Sequence, residues 1–161
     1  KDSLTMNLVM NLKGALGNIS DEDVNVKVDK GVVYIDISDK MLFKSGSFDV
    51  TTPAKAVLEK VAKVLNNQPD IEFMVEGHTD AVEFSQPPLT DNWDLSVLRA
   101  NSIVRILSLD GKVDPRRITA SGRGEYLPVD PSKTPEARRK NRRTEIILSP
   151  RMDELMKLLE K

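Results

Sequence analysis

The sequence predicts an α+β fold: two layers, a mixed β-sheet with helices packed on one face, and a helical appendage at each end. Strand-like runs of alternating apolar and polar residues interleave with segments of helical period, where separate domains would segregate them. The helical segments carry one apolar stripe each, so each has a single face to bury. No repeat of 20–50 residues and no long low-complexity tract points to another architecture. A chain of 161 residues is long enough for one domain with a real core.

The elements follow in order. Leu4 to Leu16 reads as an amphipathic helix, because Leu4, Leu8 and Leu12 recur four apart with Val9, Ala15 and Leu16 beside them. It is expected to be a docking or linker helix. Val24 to Val28 alternates as V-N-V-K-V, Asp29-Lys30-Gly31 is a turn signal, and Val32 to Ile37 resumes the alternation, which makes a β-hairpin. Met41-Leu42-Phe43, followed by Lys44-Ser45-Gly46-Ser47, reads as a loop pinned by an apolar cluster. Thr51 or Thr52 caps the next helix, with Pro53 in its first turn. Val57, Leu58, Val61, Val64 and Leu65 give that helix its buried face, and Asn66-Asn67 ends it.

Ile71 to Val75 is a short apolar strand, followed by a loop over Val82 to Asp91 that contains Pro87 and Pro88. Asn92 to Leu109 is the longest helix and stops at Asp110-Gly111; its core stripe is expected to be Trp93, Val97, Ala100, Val104 and Leu107. Ile118 to Ser121 is a strand. A glycine- and proline-rich loop then leads to a last strand, Thr144 to Leu148. Pro150 breaks the chain, and Met152 to Leu159 has the pattern of a terminal helix. The expected division is a helix and linker over residues 1–22, the β/α domain over 23–149, and a C-terminal helix over 150–161.

Composition narrows the function. A net charge of −1 provides no broad basic field for nucleic acid or an acidic membrane. No apolar run approaches membrane-spanning length. The chain opens at Lys1 without Met, as expected of a processed or excised chain, so membrane attachment is expected only through segments outside it. There is no cysteine and only one histidine. The usual zinc sets and the two-histidine iron triad therefore cannot be assembled, no loop has calcium-ligand spacing, and neither metal nor cofactor is expected.

Three features remain that could do chemistry. Glu76, His78 and Asp80 stand at every second position and would share one face of an extended segment. Two of these acids could serve glycoside hydrolysis, or all three could be a polar strand end. No G-x-S-x-G elbow is present, and no nucleophile, base and oxyanion set is complete. Arg99 lies off the expected core stripe, with Leu95, Ser96, Ser102, Ile103 and Ile106 at helical spacing. A permanent cation on so apolar a flank should reach the edge, hold an anion, or pair internally with Asp80, Asp94 or a neighbouring acid. Finally, five of the six residues from Arg138 to Arg143 are basic. With no stacking aromatics close by, this run is expected to pair with carboxylates of the domain or form an anion-facing rim rather than bind nucleic acid.

Four stretches then align with one family: VEGHTD (Val75–Asp80), NWDLSVLRANSI (Asn92–Ile103), RITASGRGEYLP (Arg117–Pro128) and KNRRTEI (Lys140–Ile146). In their order they resemble the OmpA-like peptidoglycan-binding domain (the OmpA/MotB C-terminal family), over roughly Val32 to Leu148. The second fits N-x-x-L-S-x-x-R-A-x-x-V, with Ile103 where valine is usual. The resemblance implies a β/α/β/α/β sheet with helices on one face and no catalysis. It implies non-covalent binding of peptidoglycan through the diaminopimelate of the stem peptide, anchoring an envelope protein to the wall in the periplasm, in association with the cell outer membrane. By motif, Asp80 would take the ammonium of the diamino acid and Arg99 its carboxylate. Thr79, Asn92 and Leu95 would flank them, and Arg142 would support from the last strand. The Ala81–Asp91 loop departs from the family pattern in being longer and more apolar, and is expected to wall the pocket or cover it. A wall hydrolase using Glu76, His78 or Asp80, and a protein–protein module of an envelope complex, stay as alternatives.

Overall fold

The computed structural model describes residues 2–150 and 159–160. Its elements are α1 (Asp2–Leu16), β1 (Val24–Asp29), β2 (Val32–Ser38), α2 (Asp39–Leu42), α3 (Thr52–Asn66), β3 (Ile71–His78), α4 (Asn92–Arg105), β4 (Ile118–Gly122), α5 (Pro135–Asn141) and β5 (Arg143–Pro150). The strands form one mixed sheet in the order β1-β2-β5-β3-β4. Only β3 and β4 run parallel; the other neighbours are antiparallel.

Register explains the two faces. Ile35, Ile146 and Val75 stand in one row across β2, β5 and β3, and Val33, Leu148 and Phe73 in another. All six are buried beneath the helices. The neighbouring row, Asp36, Glu145 and Glu76, therefore points to the opposite face. The hairpin between β1 and β2 turns on Lys30 (φ 52°) and Gly31 (φ 80°). Two positive φ values at the centre are what a twisted two-residue hairpin requires.

α3 forms where its signals place it. The Thr51 hydroxyl accepts the Ala54 N–H at 3.2 Å, Pro53 sits in the first turn, and Val57, Leu58, Val61, Val64 and Leu65 are buried. α1 docks rather than links: Leu8, Leu12 and Leu16 join the same core as the sheet and α3. The apolar segment Met41-Leu42-Phe43 is not a plain loop. It ends a short helix, α2, capped by Ser38, whose hydroxyl accepts the Met41 N–H. The strand expected to end at Val75 continues to His78, and the loop before β5 contains α5, whose cap is Thr134.

α4 shows the largest departure. Its buried face is Leu95, Ser96, Arg99, Ala100 and Ile103, while Trp93 and Val97 are 47% and 37% exposed. Two glycines rotate the helix. Gly77 and Gly122 face each other in the β3–β4 register. A Cβ on Gly77 would lie 2.3 Å from the Ser96 carbonyl oxygen, and one on Gly122 2.6 Å from the Val97 nitrogen. The helix backbone sits in the notch that these missing side chains leave, so the polar Ser96 faces inward and Trp93 is turned outward to stack on Tyr126. After Arg105 the helix continues as a π-helical turn, Ile106–Asp110. Among the described residues, no helix is long and apolar enough to cross a membrane. The expected helix over Met152–Leu159 lies, but for Leu159, outside the described residues.

Candidate functional site

One cavity of about 770 Å³ opens where β3 ends and α4 begins. Asp80, Thr79, Asn92, Leu95, Arg99 and Arg142 all line it. They come from three places in the chain: the turn after β3, the buried flank of α4, and the junction of α5 with β5. The end of β2 and the α2 segment also line the cavity, with Ser38, Asp39, Lys40 and Phe43. Val82, Glu83 and Phe84 of the Ala81–Asp91 loop form a wall. Pro87 and Pro88 are exposed and take no part in the lining.

The strand-end turn is held by its own hydrogen bonds. The Thr79 N–H donates to the Gly124 carbonyl at 2.9 Å, and its hydroxyl donates to the Asp80 carbonyl at 2.8 Å. The Asn92 amide donates to the Val82 carbonyl at 3.1 Å and, more weakly, to that of Asp80 at 3.4 Å. Asp80 Oδ1 accepts the Val82 N–H at 3.1 Å, and its Oδ2 accepts from Arg142 Nη1 at 2.7 Å. Thr79 and Asn92, both buried, thus fix the backbone from which the Asp80 carboxylate projects.

Arg99 is 4% exposed. Its Nε donates to the Ser47 carbonyl at 2.9 Å, its Nη1 donates to Asp39 Oδ1, and the guanidinium lies 4.9 Å from the centre of the Phe43 ring. Burial pushes this guanidinium below its usual pKa, and the Asp39 carboxylate works against that shift. Burial also pushes the Asp39 carboxyl above the usual range, opposed by Arg99 and Arg142. Of the internal acids that the sequence offers to Arg99, the structure selects a third one. Asp94 instead accepts the Thr90 N–H at 2.8 Å, and Asp80 pairs with Arg142. Asp39 lies 60 positions away and belongs to none of the four motifs, so no local spacing announces it. The site therefore contains two acid–guanidinium pairs, Asp39–Arg99 and Asp80–Arg142.

Glu76 and His78 are not among the residues lining this cavity. They point to the other face of the sheet, where His78 Nε2 and Glu76 Oε1 are 2.9 Å apart. Ser121 and Arg123 donate to Glu76 Oε2, and Arg143 donates to Glu145 Oε2 at 2.7 Å. Ligand atoms of Glu76, His78 and Glu145 come within 4.8 Å of one another. Two guanidiniums already supply the countercharge there, so the cluster reads as an internal ion network. It also leaves the hydrolase alternative without an exposed pair of acids, since Glu76 is buried and Asp80 belongs to a different cavity.

The basic run is divided by the fold. Arg142 pairs with Asp80 and Arg143 with Glu145. Lys140 lies 3.7 Å from Glu136, one helical turn away, and Arg138 and Arg139 line the cavity.

With this geometry in view, residues 42–142 match the model of the OmpA family. The chain belongs to the OmpA family. The match takes in both Asp80 and Arg99, and it stops short of α1 and Asp39. Motility protein B of Bacillus subtilis is 31% identical over 131 residues, covering 81% of this chain and 50% of that protein. The crystal structure of a putative MotB-like protein from Desulfovibrio vulgaris superposes with a TM-score of 0.84 at 26% identity, covering 92% of this chain and 96% of that one. The cell wall anchor of the T6SS from Pseudomonas aeruginosa superposes with a TM-score of 0.78 at 28% identity, covering 87% and 97%. This OmpA-family chain spans about half the length of the curated relatives it matches.

Proposed function

We propose that this OmpA-family chain binds peptidoglycan without catalysis, through the diaminopimelate of the stem peptide, and so anchors an envelope protein to the cell wall. The binding unit is the region 23–149, braced by α1, and it works in the periplasm in association with the outer membrane. One observation carries the reading: Asp80 and Arg99, the acid and the cation that the motifs single out, open into the same cavity. A solved structural relative described as a cell wall anchor supports it.

The free site is internally neutralised, so binding is an exchange of partners. The ammonium at the side-chain end of diaminopimelate takes the Asp80 carboxylate from Arg142. The adjoining carboxylate then meets the released Arg142 and the edge of the Arg99 guanidinium that Asp39 and Ser47 leave open. Leu95 and the Phe43 ring line the cavity with apolar surface. A zwitterion completes both exchanges. A lone ammonium displaces Arg142 and gives it nothing in return, a loss of about 1.5–3 kcal/mol per charge-assisted hydrogen bond.

The test is retention on purified diaminopimelate-type sacculi. Wild-type protein is expected to sediment with them and to release no soluble muropeptide. Asp80→Asn is expected to stay in the supernatant while keeping its fold. Retention of that variant at the wild-type level would reject the site.

A further inference from the structure

The cavity holds more positive charge than one zwitterion uses. Lys40, Arg99, Arg138, Arg139 and Arg142 line it, against Asp39, Asp80 and Glu83. The two internal pairs consume Arg99 and Arg142, leaving three cations facing one acid. Lys40 and Arg139 are exposed. Arg138 is half-buried, and its side chain has neither a hydrogen bond nor an ion pair among the described residues. It also lines a second cavity of about 370 Å³, and Val82 is the other residue common to both. The two cavities therefore meet at Val82 and Arg138. The second cavity adds Glu125, Asp130 and Lys133, so across both cavities four cations, Lys40, Lys133, Arg138 and Arg139, face three acids, Glu83, Glu125 and Asp130, and Asp130 Oδ1 is occupied by the Ser132 N–H at 2.9 Å. A half-buried guanidinium without an anion, at the mouth between two cavities, is a position for an anion of the ligand.

We propose that Arg138 forms a second, carboxylate-binding subsite, which takes the free carboxylate of the residue preceding diaminopimelate in the same stem peptide. This rests on the wall-binding reading above and extends it by one residue. In a stem peptide that neighbour is a γ-linked glutamate, so its α-carboxyl is free, and amidation removes its charge. The subsite makes the domain a reader of that amidation as well as of the diamino acid.

The experiment is a calorimetric titration of wild type and Arg138→Gln with three peptides. These are L-Ala-γ-D-Glu-diaminopimelate, its glutamate α-amide, and its C-terminal amide. The third separates the glutamate carboxylate from the chain-terminal one as the group read by Arg138. Wild type is expected to bind the glutamate amide about 5- to 20-fold more weakly than the acid, a range between that of a buried charged hydrogen bond and an exposed ion pair. Arg138→Gln is expected to lose the same factor for the acid and to bind acid and amide equally, with an unchanged melting temperature. If Arg138→Gln still discriminates as wild type does, or if only the C-terminal amide weakens binding, the glutamate subsite is overturned while wall binding stands. If wild type binds none of the peptides, the wall-binding reading falls and takes the subsite with it.

Discussion

At the scale of single residues, the two pairs in the site have different weights. Asp39–Arg99 is almost closed to water, whereas Arg142 in the other pair is well exposed. Removing one partner of a buried pair strands the other charge and typically costs about 3–5 kcal/mol; exposed pairs contribute about 1 kcal/mol or less. Asp39→Ala should therefore lower the urea unfolding free energy by about 3 kcal/mol, while Asp80→Asn should change it by less than about 1 kcal/mol and abolish binding. Equal costs for the two variants would refute this ranking. The other face of the sheet gives a pH signature. The hydrogen bond from His78 and the Arg123 guanidinium hold the Glu76 carboxyl below its ordinary value. A carboxyl depressed in the folded state stabilises the protein above its unfolded pKa, and that stability is lost as pH falls through the folded value. Glu76→Gln should flatten the acid limb of the stability–pH curve; an unchanged slope would remove Glu76 from the account. Asp80 and Arg99 were legible in the sequence because each lies inside a local motif. Asp39 was not, because its role exists only after β2 and α4 are brought together.

At the scale of elements, the five strands and the helices α1, α3 and α4 followed from period and caps, but the short helices α2 and α5 and the orientation of α4 did not. Trp93 and Val97 belong to the expected core stripe, and Ser96 and Arg99 lie off it. The notch at Gly77 and Gly122 reverses that choice, because close backbone approach outweighs the hydrophobic stripe at this contact. Turning α4 also carries Arg99 inward to Asp39, so the same glycines shape the candidate site. Gly77→Ala should cost about 1–3 kcal/mol, as overpacking does, and should weaken peptide binding as well. Gly14→Ala, in α1 with nothing within 4 Å of the added Cβ, is the matched control and should be stabilising by about 0.5–1 kcal/mol. Thermal unfolding of the two variants side by side checks the notch; equal melting temperatures would contradict it.

At the scale of the whole molecule, one core serves both the motif-bearing sheet and the helix in front of it. Leu12 of α1 is fully buried in the cluster that also contains Leu58 and Ile35. Leu12→Ala should destabilise the domain by about 2–5 kcal/mol in a single cooperative transition; a loss below about 0.5 kcal/mol would mean that α1 is only loosely attached. The amphipathic pattern of α1 was plain in the sequence, while its docking partner was not, since a leucine stripe does not name the surface that covers it. The sheet in turn brings chain segments from β2, β3, α4 and α5 to one end, where acids and guanidiniums line one cavity. The proposed function requires this arrangement to read a zwitterion. Its most direct test is a titration of the protein with a diaminopimelate stem peptide beside the lysine-containing analogue, which lacks only the second carboxylate. We expect the lysine peptide to bind at least about tenfold more weakly, as loss of one charge-assisted hydrogen bond requires; equal affinity for the two peptides would contradict the account.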